Sequence, residues 1–319
     1  MLRIAEFACY RKGRLGKILN MKVMLIGAGA VGCTVMNKLM KVSDFTLIVD
    51  PERKQRYSNG IYYNGEKLEV VMKTPEEADE KADLLILATK NFHLDDAIEE
   101  AKPFVGPTTV LLPILNGIDA EGKLADVFGE DKVLYGFITD LSSNHQGVET
   151  TCFSEGTIIF GEKNNAVSER MKNIAELFDK AGQRYQIPQD IHHEKWWKFM
   201  LNTCYNTLTA ILIADYAAIN GNQSFVRCVR MVAKEVLKVA NAEGVALTGD
   251  DVESMIKRIG RLTDHGQTSM LQDVLAKRDT ENKYFAGAVS RLGKKHGIET
   301  PYCEFINHLL EAKRYVYNS

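Results

Sequence analysis

Met21-Lys-Val-Met-Leu-Ile-Gly27-Ala-Gly29-Ala-Val-Gly32 reads as a buried parallel strand that turns straight into a helix, since Ala30 to Met40 carries helical periodicity. In a strand–turn–helix each glycine has a separate reason to be there. The first permits the tight turn, the second lets the backbone approach a pyrophosphate, and the third allows helix and strand to pack closely. The diphosphate then lies on the amides of the helix N-terminus. Three glycines alone say little; with a strand before and a helix after, they predict a dinucleotide site.

Outward from that turn, strands and helices alternate to about Ile187. Phe45-Thr-Leu-Ile-Val-Asp50, Asp83-Leu-Leu-Ile-Leu-Ala88 and Thr109-Val-Leu-Leu112 read as further buried strands, and Ile61 to Met72 as a hairpin about Asn64-Gly65. Gly147 to Gly161 predicts two short strands around Ser154-Glu-Gly156. This alternation predicts an α/β fold, a doubly wound Rossmann sheet with ligand at the carboxyl ends of its strands. After Pro188 the pattern is helical, with Asp190 capping a long helix to about Ala214 and Pro301 opening the last one. The expected organisation is an N-terminal extension (1–20), a dinucleotide-binding domain (21–187) and a helical domain for substrate and dimerisation (188–319), with a cleft between the last two.

The bulk numbers agree with a cofactor enzyme of this size. The chain has 319 residues, 45% hydrophobic and 26% charged, which leaves room for two cores. A formal net charge of −2 carries no electrostatic footprint for nucleic acid or an anionic membrane. Six cysteines (Cys9, Cys33, Cys152, Cys204, Cys228 and Cys303) include no Cys-x-x-Cys pair, so reduced thiols in the cytoplasm are expected and a metal site is not. The first twenty residues carry Arg3, Arg11, Lys12, Arg14 and Lys17 against Glu6, and read as an extension ahead of the natural first strand.

Chemistry is expected at the strand ends and on the long helix. Asp50 closes the second strand 18 positions after Gly32, where an acid would accept hydrogen bonds from the adenosine ribose and repel a 2′-phosphate. Against that lean toward NADH, Arg53, Lys54 or Arg56 could pair with a phosphate, and Asp50 could equally be a solvated loop residue. Thr89-Lys90 and Asn116-Gly117 also lie just past strand ends. On the long helix Lys198, Asn202 and Asn206 fall four apart, drifting only about 40° per step, and form one polar stripe among Trp196, Trp197, Met200, Leu201 and Leu208. Such groups need partners in an apolar setting, either as a satisfied core network or as a cleft wall. The histidines show no suitably placed acid in sequence, Cys33 reads as a small packing residue, and Lys277-Arg278-Asp279 as a solvated face.

Lys198…Asn202…Asn206-Thr-Leu-Thr-Ala210, with Ser269-Met-Leu-Gln-Asp273 and Thr280-Glu281, resembles the ketopantoate reductase family. Gly27 to Gly32, Thr89-Lys90 and Asn116-Gly117 match its cofactor motifs in order, so the resemblance runs from residue 21 to about 315. It implies NADPH-dependent reduction of a 2-oxo acid, 2-dehydropantoate to pantoate. It further implies that Lys198 is the general acid and that Glu281 orients the lysine or the substrate hydroxyl and approaches the nicotinamide ribose. Asn116 would touch cofactor and substrate, while Asn202, Asn206 and Ser269 bind substrate. Cofactor contacts are expected from Gly27, Ala28, Gly29, Ala30, Val31, Gly32, Asp50, Lys90, Asn116 and Glu281. The chain departs from the family at Gly266, where an Asn is usual, at Asn282-Lys283, at Thr207 and at Asp50. These departures keep open an NADH-dependent D-2-hydroxyacid dehydrogenase for bulkier acids, or a nucleotide-binding sensor without turnover. The expected partners are a small 2-oxo acid and a second copy of the chain, not nucleic acid or membrane.

Overall fold

The computed structural model describes residues 21–318; the basic extension and Cys9 lie outside them. The chain divides into two compact units, one holding the residues up to Asn116 with Ala120–Ile191, the other Gly117–Asp119 with the residues from His192 on.

In the first unit the elements run β1 (Lys22–Ile26), α1 (Ala30–Leu39), β2 (Asp44–Ile48), α2 (Pro51–Arg56), β3 (Ile61–Tyr63), β4 (Glu66–Leu68), β5 (Val71–Lys73), β6 (Leu84–Leu87), α3 (Leu94–Ala101), β7 (Val110–Pro113), α4 (Ala120–Phe128), β8 (Tyr135–Gln146), β9 (Glu149–Gly161), α5 (Glu169–Ala181) and β10 (Tyr185–Gln186). Five strands form a sheet in the order β5-β2-β1-β6-β7, every neighbouring pair parallel. This is the doubly wound Rossmann sheet. Alternate residues of each strand enter opposite cores: Val23, Leu25, Leu84 and Ile86 pack with α1 and α5, and Met24, Ile26, Leu85 and Leu87 with α3 and α4. Burial on both faces is why these strands read as unbroken apolar runs.

A second sheet is built from β10, β9, β3 and β4, with β8 antiparallel on β9. Here two sequence expectations change. The hairpin about Asn64-Gly65 is present, both turn residues having positive φ (52° and 80°), but it ends at Leu68. Met72 belongs to β5, which pairs with β2. The two short strands around Ser154-Glu-Gly156 are instead one long hairpin that turns at Gly147 (φ 65°). Gly156 sits inside β9, where a Cβ would come within 2.8 Å of Leu141 Cβ and Thr139 O, so it marks close packing rather than a turn.

The second unit contains α6 (Ile191–Leu201), a π-turn (Asn202–Asn206), α7 (Thr207–Leu212), α8 (Tyr216–Ile219), α9 (Gln223–Ala242), α10 (Gly249–Ile259), α11 (Ser269–Leu275), a 3₁₀ turn (Glu281–Tyr284), α12 (Ala286–His296) and α13 (Pro301–Asn318). Its core gathers Phe199, Met200 and Cys204 with Val229, Val232, Val236 and Val239 of α9, Phe285 and Val289, and Cys303 and Ile306. The spacing of three and four along α9 is the apolar stripe of a packed helix. Glu235, 4% exposed, stands among these groups and accepts the Tyr302 and Cys303 amides (2.9 and 2.8 Å), a carboxylate on the N-terminus of α13. No helix among the described residues is long and apolar enough to cross a membrane.

Candidate functional site

At the carboxyl edge of the parallel sheet the three glycines are under different constraints. Gly27 has φ 103°, and a Cβ on it would lie 2.7 Å from the Ala88 carbonyl carbon. A Cβ on Gly32 would lie 1.7 Å from Gly27 O, so helix and turn touch backbone to backbone there. A Cβ on Gly29 would meet nothing within 4 Å. Open space thus faces the second glycine, at the N-cap of α1, which has no side-chain cap and no acid in its first turn. Its first amides thus carry no side-chain cap and are suited to receive an anion. Beside it the Thr89 hydroxyl is buried without a hydrogen-bond partner among the described residues. These features fit a dinucleotide diphosphate.

The other strand ends arrange themselves around that turn. Lys90, partly exposed, caps the short turn Asn91–His93. Asn91 Nδ2 donates to Asn116 O at 3.0 Å, fixing the bend at Asn116-Gly117, where Gly117 has φ 85°. Asn91 carried no signal in the sequence beyond its place after Lys90. Asp50 is the N-cap of α2: its Oδ1 accepts the Arg53 amide at 2.6 Å and its Oδ2 pairs with Arg53 Nη1 at 3.0 Å. Cys33, directly after Gly32, is fully buried and donates from Sγ to Ala28 O (3.2 Å); burial pushes its thiol up to about 11, against any lowering by the helix terminus.

In the helical unit the polar stripe is not on a regular α-helix. Lys198, partly exposed, lies in the last turn of α6, and Asn202 and Asn206 (3% and 5% exposed) bound the π-turn. A π-turn shifts the backbone bonding from i−4 to i−5 and loosens the local ladder. Two threonines stabilise this one. Thr207 Oγ1 donates to Thr203 O (2.5 Å), and Thr209 Oγ1 donates to Tyr205 O (2.6 Å). Thr209 Oγ1 also meets Thr268 Oγ1 at 2.8 Å, while Asn206 Nδ2 donates to Ser269 Oγ at 3.2 Å. The turn is thereby tied to the start of α11, 63 residues on in the case of Asn206 and Ser269. Thr268, the N-cap of α11, was missed in the sequence although a Thr before an apolar run is a helix-start signal.

Glu281 and Asn282 are both 3% exposed, whereas Lys283 is exposed. Asn282 Nδ2 donates to Asn307 Oδ1 at 2.8 Å, tying this turn to α13. One expectation holds and one needs correction. Lys277, Arg278 and Asp279 are all exposed, as a solvated face should be, and the Arg278 guanidinium lies 3.0 Å from Asp273, a carboxylate 4% exposed. Histidines do meet acids, brought from far along the chain: His265 with Asp215 (2.8 Å), His193 with Asp251 (3.2 Å) and His296 with Glu243 (2.5 Å). Pairs about fifty residues apart leave no local trace. No group of three or more metal-ligating side chains occurs among the described residues.

A parallel sheet ending in this glycine turn, with a helical unit carrying a lysine and buried amides, defines an NAD(P)-dependent oxidoreductase. Residues 23–165 match the family described as "Ketopantoate reductase PanE/ApbA", and residues 190–314 its C-terminal part. The chain belongs to the ketopantoate reductase family. It is 28% identical to the 2-dehydropantoate 2-reductase of Lactococcus lactis over 92% of this chain and 98% of that one. The enzyme of the same name from Pyrococcus horikoshii is also 28% identical, over 92% and 97%. Among solved structures, D-mandelate dehydrogenase with NADH and anilino(oxo)acetate aligns with a TM-score of 0.85 at 26% identity, covering 94% of this chain and 100% of that one. The 2-dehydropantoate 2-reductase of Geobacter metallireducens aligns at 0.82 and 26%, covering 92% and 99%. The protein is therefore an NAD(P)H-dependent oxidoreductase of the 2-dehydropantoate 2-reductase type, acting on CH–OH groups and their oxo-acid counterparts.

Proposed function

We propose that the protein reduces a 2-oxo acid to its 2-hydroxy acid, with 2-dehydropantoate as substrate and pantoate as product, in the cytoplasm and as a homodimer. The observation that carries this reading is the hydrogen-bonded union of Ser269 with Asn206, the latter about two helical turns beyond Lys198. It gathers amide and hydroxyl donors on the segment that bears the lysine, as recognition of a carboxylate and hydroxyls requires. Bound NAD(P)H supplies the hydride. Negative charge then grows on the carbonyl oxygen, and the Lys198 ammonium stabilises that charge and delivers the proton. Glu281 orients Lys198, Asn202 and Asn206 position the substrate with Ser269, and Asn116 and Lys90 act at the cofactor edge with the segment Gly27–Gly32.

One observation favours a second reading, a D-2-hydroxyacid dehydrogenase for bulkier acids. A Cβ on Gly266 would lie 2.9 Å from Asp264 Oδ1 and 3.1 Å from Tyr216 Cδ2, so a longer residue 266 would reach a carboxylate and an aromatic ring. The Tyr216 ring offers apolar surface to a branched or aromatic substrate, while a glycine at 266 offers no side-chain amide to a hydroxyl.

Steady-state oxidation of NADH and NADPH with 2-dehydropantoate, 2-oxoisocaproate and phenylpyruvate tests both. Highest kcat/KM on 2-dehydropantoate supports the first reading and the bulkier acids the second. Nucleotide binding with no turnover on any of the three would leave a sensor.

A further inference from the structure

We propose that Glu100, acting through Arg53, directs the coenzyme preference toward NADH. The inference rests on the nucleotide site at Gly27–Gly32 and is independent of which oxo acid is reduced. β1 and β2 are parallel neighbours with Ile26 opposite Ile48, so the glycine turn and Asp50 leave the sheet side by side. That places α2 at the ribose end of a bound dinucleotide. Three cations, Arg53, Lys54 and Arg56, follow Asp50 and are the groups a 2′-phosphate would call on.

Each of the three is already matched to a carboxylate. Lys54 is paired with Glu77, and Arg56 with Glu52 at 3.0 Å. Arg53 is shared: Nη1 lies 3.0 Å from Asp50 and 3.6 Å from Glu100 Oε1. Glu100 comes from α3, the helix after β6 on the far side of β1, and its side chain is only 12% exposed. Its Oε2 is buried without a hydrogen-bond partner among the described residues. Burial raises the Glu100 carboxyl above its usual range; Arg53 opposes the rise, while Asp50 and Asp96 add to it. A carboxylate held this way keeps Arg53 turned inward, and two acids around one guanidinium leave a net negative corner. A ribose with free hydroxyls tolerates that corner, whereas a doubly charged 2′-phosphate is repelled by it and finds none of Arg53, Lys54 and Arg56 unshared.

Direct titration of NADH and NADPH by nucleotide fluorescence tests the proposal without turnover. The wild type should bind NADH more tightly, and Glu100→Gln should shrink the NADPH-to-NADH ratio of Kd values by about fivefold, the upper range for a partly exposed ion pair. Arg53→Gln alone should widen the ratio, and adding it to Glu100→Gln should cancel the gain. A purely structural role for Glu100 would weaken both nucleotides equally, leaving the ratio fixed and overturning the proposal. Tighter NADPH binding by the wild type would overturn it too. Binding of neither nucleotide would overturn the proposal together with the nucleotide site itself.

Discussion

The two units hold their chemistry in different ways. In the sheet unit the proposed cofactor edge is made of backbone: a glycine at φ 103°, a second with open space before it, and a third pressed against a carbonyl. In the helical unit the face proposed to meet substrate is made of side chains from the π-turn, α7 and the start of α11, joined by hydrogen bonds across about sixty residues. Backbone demands are local and restrict the amino acid to glycine, whereas side-chain unions depend on how distant helices pack. The first kind of site is therefore readable from a dozen residues, and the second only from the folded chain.

The largest effect should come at Lys198. Lys198→Met should lower kcat by roughly a hundredfold to ten-thousandfold, the contribution of a positioned general acid. Because the nucleotide edge is built separately, the Kd for NADH should stay within a small factor of wild type. A variant with near-normal turnover would remove the acid role from Lys198 and with it the functional half of the comparison.

Next come the glycines, which separate packing from ligand contact. Gly32→Ala puts a methyl group 1.7 Å from Gly27 O. The backbone has to move, at a cost of about 3 kcal/mol, the upper range for overpacking. Gly29→Ala meets nothing within 4 Å, so stability should change by less than about 1 kcal/mol while nucleotide affinity falls. Denaturant melts and nucleotide titrations of the two variants check this. Equal losses of stability would mean that Gly29 is a packing residue like Gly32.

The sheet itself was legible for the same reason as the turn. Strands buried on both faces are continuous apolar runs, and β1, β2, β6 and β7 fall within a residue or two of their sequence limits. The second sheet was harder. Gly147 and Gly156 look alike in sequence, yet one turns the chain and the other lets Leu141 approach. The stripe Lys198, Asn202 and Asn206 was visible as a spacing of four, but the π-turn beneath it was not. Nothing in Asn-Thr-Cys-Tyr-Asn demands five-residue bonding, and its support comes from Thr207 and Thr209 one turn later.

That support gives a smaller effect. Thr207→Val keeps the shape of a fully buried side chain and removes the bond to Thr203 O. Stability should fall by about 1–2 kcal/mol, the cost of a buried acceptor losing its donor. If the π-turn positions substrate groups, KM for the oxo acid should rise while nucleotide affinity is unchanged. A stability loss with unaltered KM would make the turn a feature of packing alone.

The smallest effect lies in two carboxylates that repeat the contrast between near and far partners. Glu162 takes Arg170 and Ser168 from its own neighbourhood; Glu243 takes Lys295 and His296 from the end of α12. In both, burial raises the carboxyl and these partners outweigh it, so the folded value lies below the ordinary one. A lowered folded value means stability that is present above the unfolded carboxyl value of about 4.3 and is lost as pH falls through the folded one. Melting temperatures of Glu162→Gln and Glu243→Gln should therefore lie below wild type at pH 7 and converge with it on acidification below about pH 4. A deficit that persisted undiminished below about pH 4 would mean that the near or the far partners do not act through the ionised carboxylate.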